Sequence, residues 1–208
     1  MRSLPTLRLA LGLLCLPLLA VRAELPEAPV AGEGKELATF AGGCFWCMEK
    51  PFEAVDGVEE VVSGYTGGHL PHPTYKQISR GDTGHAEAVQ FAYDPTEVSY
   101  EELLEVYWRQ INPTDGGGQF ADRGSQYRPV IFVHSEEQRA AAEASKQALA
   151  ESGRFDGEIV VGIEEADRFY VASSFHQDFY RENPRRYLNY ARGSGRVGYL
   201  RKKWADEE

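Results

Sequence analysis

The chain is poor in basic residues, and this shortage excludes nucleic acid as a class of partner. Its 208 residues include 22 Lys and Arg against 32 Asp and Glu, a formal net charge of −10. Phosphate backbones are bound by clustered basic side chains. The only basic runs, Arg185-Arg186 and Arg201-Lys202-Lys203, are diluted by nearby acids. We therefore expect no nucleic-acid binding.

Cysteine is equally scarce, with three residues in the chain. A structural zinc site takes four ligands, commonly two Cys pairs or a Cys pair with a His pair. Only one C-x-x-C pair is present, Cys44 and Cys47. His69 and His72 could complete a site, but an H-L-P-H turn is typical of surface histidines. We expect no metal site, and keep a zinc-dependent interaction module as an alternative function.

The N-terminus carries a short hydrophobic run that is typical of an export signal. Arg2 and Arg8 form a basic start, residues 9–20 are mostly apolar, and residues 21–23 place small residues at both positions that a signal peptidase inspects. The run is shorter than the ~20 residues of a membrane-spanning helix. We predict that residues 1–23 are a signal peptide, without stable membrane insertion, and that the protein is periplasmic or secreted.

Two alternatives to this signal peptide stay open. The segment could be a retained disordered N-terminus, or Cys15 could be lipidated, although Leu14 stands where a lipidated cysteine needs a small residue before it. Cleavage after residue 23 removes three of the 22 basic residues and none of the 32 acidic ones, which leaves a net charge of −13. Cys44 and Cys47 then remain, in a compartment that permits a disulfide.

The rest of the chain is long enough for one domain. Residues 24–36 are rich in Pro, Gly and Glu and are predicted to form a flexible leader. Residues 37–192 are predicted to form this domain, and residues 193–208 a loose C-terminal tail.

Apolar periodicity and turn residues predict the elements of this domain. Strands are expected at 37–41, 58–65, 85–93, 129–133 and 159–163. Helices are expected from Cys44 to Gly57, after capping sequences at Ser99 and Ser135, and at 174–181 and 185–191. This order predicts an α+β fold, a two-layer α/β sandwich with a mixed or antiparallel sheet and a split β-α-β topology. Two long Gly-rich loops, 66–84 and 112–128, are expected to be functional.

The segment GCFWC poses the main chemical question, because Cys44 and Cys47 enclose Phe45 and Trp46. A metal half-site, a structural disulfide, a redox dithiol and a nucleophile beside an aromatic pocket all compete. A disulfide that closes so short a loop removes little unfolded-state entropy, which argues against a purely structural role. A general disulfide exchanger needs an exposed dithiol, which two large aromatic side chains would obstruct. Phe45 and Trp46 would instead suit the wall of a pocket that holds an apolar substrate group. The alternative is that they pack in the core.

The expected position of Cys44 suggests how its thiol is activated. The preceding Gly42-Gly43 pair allows a sharp turn into a helix, whose first N–H groups are unpaired. Helix N-termini lower thiol pKa values, so we expect a lowered pKa for Cys44. Cys47, one turn later, lies on the same helix face and could reach the Cys44 sulfur after oxidation.

Glu87 is a candidate proton donor. Residues 85–93 alternate, and Glu87 shares its strand face with Val89 and Phe91. The carboxyl group should therefore face the interior, where burial raises its pKa. A pairing of Glu87 with His85 or an arginine is the structural alternative.

Four motifs carry a resemblance to a known family. GCFWCMEKPFE, SGYTGGHLPHPTY, GDTGHAEAVQFAYDP and DRGSQYRPVIF are similar to segments of the peptide methionine sulfoxide reductases of the A type. The similarity runs over about residues 40–189. It implies a two-layer α/β sandwich related to the ferredoxin-like fold, and reduction of the S epimer of methionine sulfoxide.

The resemblance assigns the central roles to one motif and one strand. Cys44 would be the nucleophile that attacks the sulfoxide sulfur. Phe45 and Trp46 would hold the substrate methyl group. Glu87 would protonate the departing oxygen as general acid.

Both long loops also receive roles by resemblance. Tyr75 and Tyr127 would hydrogen-bond the sulfoxide oxygen, and Asp122 would order the polar side of the site. The sequence around His176 departs from the family pattern, so no catalytic role is carried over to His176.

The resemblance further implies how the enzyme is regenerated. A sulfenic acid on Cys44 is resolved by a second thiol. The tail contains no cysteine, which leaves Cys47 as the candidate resolving residue. Electrons would come from a thioredoxin-like protein, or from dithiothreitol in vitro, without a cofactor. We thus predict a monomeric repair enzyme for protein-bound and free methionine-S-sulfoxide, with a general thiol–disulfide oxidoreductase as the alternative.

Overall fold

The computed structural model of the protein describes residues 27–205. The predicted signal peptide and Cys15 lie outside the described residues. The strands are β1 Glu36–Gly42, β2 Val62–Thr66, β3 Ala86–Tyr93, β4 Gly118–Gln119, β5 Asp122–Arg123, β6 Pro129–Val133, β7 Gly162–Glu165 and β8 Tyr170–Val171. The helices are α1 Phe45–Glu53, α2 Tyr75–Ile78, α3 Tyr100–Trp108, α4 Glu136–Glu151, α5 Phe179–Glu182, α6 Pro184–Gly193 and α7 Arg196–Lys203.

Six strands form one mixed sheet in the order β7-β6-β1-β3-β2-β8, while β4 and β5 form a separate hairpin. The central strands β6, β1, β3 and β2 pair with one another in antiparallel fashion, and β7 is parallel to β6. Strand β3 lies between β1 and β2, which α1 connects, so the topology is a split β-α-β arrangement. The predicted α+β class and ferredoxin-like core are confirmed.

Strand β3 is buried along its whole length and separates two apolar clusters. Val89 and Phe91 belong to the main core under α1, α3 and α4. Ala86 and Ala88 belong to the smaller cluster on the opposite face. This alternation confirms the predicted strand pattern, and it places Glu87 on the face that α1 covers.

The predicted capping signals are confirmed at two helices. At α3, the Glu102 N–H donates to the Ser99 hydroxyl at 3.2 Å, and the Glu102 carboxylate accepts from the Ser99 N–H at 2.8 Å. At α4, the Ser135 hydroxyl accepts from the Gln138 N–H at 3.2 Å. Each side-chain oxygen satisfies a helix N–H that has no partner within the helix.

Several predicted boundaries were wrong. The strand expected at 58–65 begins only at Val62, and the one expected at 159–163 begins at Gly162. The helix expected to end at Gly57 ends at Glu53. The helix expected at 174–181 is confined to Phe179–Glu182. For the two strands, the apolar pattern extends beyond the residues that pair with β3 and β6.

The C-terminal segment was expected to be loose from residue 193, and this was wrong. It forms the end of α6 and then α7, with a left-handed Gly195 between them. The side chain of Arg196 is buried and donates to the carbonyl oxygen of Gly42 at 2.9 Å. Gly193, Gly195 and Gly198 interrupt this segment, and for this reason its sequence was not predicted to form a helix.

The leader also contacts the domain. The Gln90 amide donates to the carbonyl oxygen of Pro29 at 3.1 Å, and Lys35 forms an ion pair with Glu59. In residues 27–205, no helix is both long enough and apolar enough to cross a bilayer.

Met48 is fully enclosed in the main core. A Cβ added to Gly42 would lie 2.6 Å from its sulfur atom, so a glycine at the end of β1 makes room for this side chain. The chain contains two methionines, and the other is Met1.

Candidate active site

The turn between β1 and α1 positions Cys44. Gly43 has φ +86°, a conformation that favours glycine. A Cβ on Gly43 would lie 2.6 Å from the Cβ of Gln119. Cys44 follows as the N-cap residue of α1, and its side chain makes no capping hydrogen bond to the helix.

Glu87 lies beside the start of α1. Its carboxyl oxygen Oε2 accepts a hydrogen bond from the Phe45 backbone N–H at 3.2 Å. The side chain is almost completely enclosed, with 2% exposure. This burial raises the pKa of Glu87 to about 8, although the hydrogen bond from Phe45 opposes the shift. The carboxyl group therefore holds its proton at neutral pH. Its inward orientation, predicted from the strand alternation, is confirmed.

The expected lowering of the Cys44 pKa was wrong. Burial raises the pKa of the Cys44 thiol well above its ordinary value, and the nearby Glu87 and Cys47 raise it further. The first helical N–H, that of Phe45, bonds Glu87 rather than the sulfur. The helix terminus thus supports the carboxyl group, while the resting Cys44 is a protonated thiol.

Tyr190 of α6 is a site residue that the sequence reasoning missed. Its hydroxyl donates to the Asp122 carboxylate. The hydroxyl also lies close to Cys44, where it lowers the thiol pKa and opposes the effect of burial. Tyr190 lies outside the four motifs, so no sequence signal in them could have identified it.

The two long loops place Tyr75 and Tyr127 near Glu87 and Cys44. Burial raises the pKa of both phenols, and the next largest cause for each is the charge of Glu87. Cys44 and Asp122 raise both pKa values as well. Tyr75 is 47% exposed and stands at the mouth of the site.

Aromatic rings form the apolar side of the site. Trp46 stacks flat on Phe179, with ring centroids 3.6 Å apart. His176 lies at the centre of the group, with ring centroids 5.1 Å from Phe45, 5.9 Å from Trp46 and 4.6 Å from Tyr75. His176 received no role from the sequence, yet the structure places it among aromatic side chains of the site. Burial lowers its pKa, so its imidazole is neutral.

Comparison with known proteins identifies the family of this chain. Residues 36–208 match the family described as peptide methionine sulfoxide reductase. The chain belongs to the peptide methionine sulfoxide reductase family. It is 57% identical over 172 residues to the peptide methionine sulfoxide reductase MsrA of Bacillus subtilis, which covers 83% of this chain and 97% of that protein. Its identity to the corresponding Listeria monocytogenes protein is 55% over the same length. The predicted enzyme class is thereby confirmed.

Solved structures share the fold of the reductase. Mxr1 from Saccharomyces cerevisiae in reduced form superposes with a TM-score of 0.69 at 30% identity, over 74% of this chain and 88% of that one. Methionine sulfoxide reductase A of Corynebacterium diphtheriae gives a TM-score of 0.66 at 30% identity, over 77% and 84% of the two chains.

Cys47 of the reductase lies one turn into α1. Its N–H donates to the Cys44 carbonyl oxygen at 3.0 Å, and both cysteines are buried free thiols. Burial raises the pKa of Cys47, whereas the charge of Arg196 lowers it. Both thiols are enclosed in the resting protein, unlike the exposed dithiol of a general disulfide exchanger.

A second buried carboxyl group, Glu49, connects α1 to the segment that carries His176. Its Oε1 accepts from the Asp178 N–H at 3.0 Å and from the Ser63 hydroxyl at 3.4 Å. Burial raises its pKa to about 8. Gln177, which precedes Asp178, exchanges hydrogen bonds with the backbone of Ser63 at 2.9 and 2.8 Å. Sequence reasoning missed Glu49, although it belongs to the first motif.

The structure gathers all eight predicted site residues into one cluster. They are Cys44, Phe45, Trp46, Cys47, Tyr75, Glu87, Asp122 and Tyr127. Within residues 27–205, no group of three or more His, Cys, Asp or Glu is placed to hold a metal ion.

Proposed function

We propose that the reductase reduces methionine-S-sulfoxide, both protein-bound and free, through a sulfenic acid on Cys44 that Cys47 resolves. The observation that carries the proposal is the placement of Glu87. Its buried carboxyl group, with a pKa of about 8, shares the start of α1 with Cys44. Reduction of a sulfoxide needs a nucleophilic sulfur and a proton donor for the departing oxygen, and these two side chains supply both.

The first step transfers the oxygen atom. The Cys44 sulfur attacks the sulfoxide sulfur while Glu87 protonates the oxygen. The adduct then collapses to methionine and a Cys44 sulfenic acid, so methionine gains two electrons and Cys44 loses two. The proton that leaves the Cys44 thiol replaces on Glu87 the proton given to the oxygen. No proton is gained from solvent or lost to it.

The surrounding side chains orient the substrate. Phe45 and Trp46 form the apolar side and would hold the methyl group. Tyr75 and Tyr127 would donate hydrogen bonds to the sulfoxide oxygen, because burial and neighbouring negative charge raise their pKa values and keep them protonated. Asp122, held by Tyr190, would order the polar side.

The second step regenerates a reducible enzyme. The Cys47 sulfur attacks the Cys44 sulfur, an S–S bond forms, the S–O bond breaks, and the oxygen leaves as water. Two further electrons must then reduce the disulfide. Yeast Mxr1 has also been solved in complex with Trx2, a structure that is 21% identical to this chain with a TM-score of 0.51. We propose a thioredoxin-like donor, with no cofactor.

The N-terminal sequence supports a proposal for the cellular setting. We propose that residues 1–23 direct export to the periplasm or out of the cell. We also propose that the reductase is a monomer. Expression with a C-terminal tag, followed by fractionation and N-terminal sequencing of the exported product, tests export directly. An intact N-terminus in the cytosol would contradict export, and a lipid-modified Cys15 would identify a lipoprotein.

The stereochemical assay is the decisive test of the activity. Peptide-bound and free methionine sulfoxide are supplied as separated S and R epimers with dithiothreitol, and consumption is followed for the wild type and Cys44→Ser. We expect the wild type to consume only the S epimer and the variant to consume neither. Consumption of the R epimer, or activity without Cys44, would overturn the proposal.

Mass spectrometry tests the resolving step. After one turnover without reductant, we expect a Cys44–Cys47 disulfide. In Cys47→Ser we expect a sulfenic acid that a dimedone-type reagent traps on Cys44. A persistent sulfenic acid in the wild type would contradict the assignment of Cys47.

A further inference from the structure

Arg196 is a buried cation without a carboxylate partner in the described part of the chain. Only 4% of the residue is exposed. Its Nη2 donates to the Gly42 carbonyl oxygen at 2.9 Å, and its Nη1 donates to the Gln110 carbonyl oxygen. The guanidinium carbon lies 4.7 Å from the centre of the Phe120 ring. A buried charge costs free energy unless nearby groups compensate it, and here only carbonyl dipoles and a ring do so.

The position of this cation connects it to the dithiol. Gly42 directly precedes the Gly43–Cys44 turn, and a Cβ on Gly43 would lie 2.8 Å from the Arg196 Nη2. The positive charge also reaches α1, because it is the largest cause that lowers the pKa of Cys47. Arg196 thus contacts the turn that carries one thiol and acts electrostatically on the other.

We propose that Arg196 is a positioning residue for the resolving step, in which its guanidinium fixes the turn before Cys44 and favours the thiolate of Cys47. The inference rests on the proposed function. Cys47 must lose its proton to attack the Cys44 sulfenic acid, and the departing oxygen takes up that proton as water forms. A neighbouring fixed cation stabilises the anion that this step requires.

Other groups around Cys47 have the opposite effect. Burial raises its pKa most, and the charges of Asp122 and Glu87 raise it further. Tyr187 is near enough for Cys47 to raise the phenol pKa, while Arg196 lowers it. Among these neighbours Arg196 supplies the positive charge, so its removal leaves only groups that disfavour the thiolate.

The size of the effect follows from thiol reactivity. Each unit by which the Cys47 pKa rises lowers its thiolate fraction about tenfold at a pH below that pKa. A thiolate with a higher pKa is also more nucleophilic, and this offsets roughly a factor of three of the decrease for each unit. The net result is that disulfide formation should slow about threefold for each unit by which removal of the Arg196 charge raises the Cys47 pKa.

The test separates the two chemical steps in the full chain. Arg196→Met removes the charge, Arg196→Lys keeps it, and Arg201→Met is the matched control, an exposed arginine on the same helix. Rapid quenching after mixing with methionine-S-sulfoxide peptide measures methionine release and, separately, loss of the dimedone-reactive sulfenic acid. We expect Arg196→Met to slow disulfide formation by a larger factor than methionine release. Arg196→Lys should recover part of the rate, and Arg201→Met should match the wild type.

A direct titration provides a readout that a purely structural role would not change. Replacement of Cys15 and Cys44 by serine leaves Cys47 as the only thiol in the chain. The ultraviolet absorbance of its thiolate is followed against pH, with the corresponding triple-serine variant subtracted. We expect Arg196→Met to raise the apparent pKa of Cys47 and Arg196→Lys to restore most of the shift.

Each failure has its own meaning. Equal disulfide formation rates in Arg196→Lys, Arg196→Met and the wild type would overturn the inference while leaving the proposed function intact. An unchanged Cys47 titration would overturn it as well. Absence of methionine release from the wild type would instead remove the proposed function. If Arg196→Met fails to fold, Arg196→Gln, which also removes the charge, takes its place, and an unchanged Cys47 titration in that variant overturns the inference.

Discussion

The backbone N–H of Phe45 donates its hydrogen bond to the Glu87 carboxyl group, 3.2 Å away, and not to the sulfur of Cys44. The helix terminus therefore holds the acid in place. Burial raises the pKa of Cys44, the proposed nucleophile, and the Tyr190 hydroxyl opposes this shift. Both side chains are protonated at rest, which suits the proposed reaction, in which one proton must reach an oxygen atom.

Replacement of Glu87 by glutamine tests the acid. The amide side chain keeps an oxygen for the Phe45 N–H but has no acidic proton to give. We expect single-turnover methionine release to fall by ~10²- to 10⁴-fold, the usual contribution of general acid catalysis. Glu49→Gln is the matched control, since Glu49 is also buried but hydrogen-bonds Asp178 and Ser63 instead of the start of α1. A near-normal rate in Glu87→Gln would remove Glu87 from the chemistry.

The pH dependence of that same step follows from the Glu87 pKa of about 8. The protonated form is the donor, so the rate should be level below this pH and fall as the pH rises through it. Rapid-quench measurements from about pH 6 to about pH 10 on the wild type and Glu49→Gln should give the same profile. A rate that climbs through this range would show that the reacting form has already lost a proton.

Glu49 should make folding stability depend on pH. Its pKa is raised from 4.5 to about 8 in the folded protein. The folded state therefore holds a proton that the unfolded state releases, and this contribution to stability is full below about pH 4.5 and lost between pH 4.5 and 8. Each pH unit costs up to about 1.4 kcal/mol in the free energy of unfolding.

Urea unfolding of Glu49→Gln at several pH values measures this effect. We expect a smaller decline in stability than in the wild type over that window, and a variant that is the more stable of the two above about pH 8. Parallel curves would mean that the Glu49 carboxyl group is ionised in the folded protein.

Tyr190→Phe removes the hydroxyl that donates to Asp122 and that lowers the pKa of Cys44. Loss of this hydroxyl should raise the Cys44 pKa further and slow methionine release about tenfold, the value of one hydrogen bond to a charged group. Tyr180→Phe is the control, because the Tyr180 hydroxyl bonds Glu53 instead. Equal rates in both variants would exclude a contribution of the Tyr190 hydroxyl.

Gly43→Ala tests the turn. The substitution adds backbone strain of about 1–2 kcal/mol at positive φ, and crowding against Gln119 adds about 1–3 kcal/mol. Gly153→Ala carries the same strain at φ +68° but meets nothing within 4 Å. Urea unfolding should show Gly43→Ala to be the more destabilised of the two. An equal decrease in the free energy of unfolding of the two variants would mean that the turn can move away from Gln119.

The features that the sequence predicted correctly are those that local patterns encode. The alternation of β3 placed Glu87 on the correct face, and the capping sequences located α3 and α4. The Cys44 pKa was predicted in the wrong direction because it depends on burial by distant elements. Tyr190 and Arg196 were missed for the same reason, since both reach the site from helices more than 140 positions later in the chain.

Met48 gives the fold a protective property. An enzyme that works among oxidants is itself a target, and thioether sulfur is an easily oxidised group in proteins. The only methionine between residues 27 and 205 has no solvent-exposed surface. Hypochlorite or peroxide would meet no exposed thioether in this part of the chain. The reductase would therefore not become a substrate of its own reaction here.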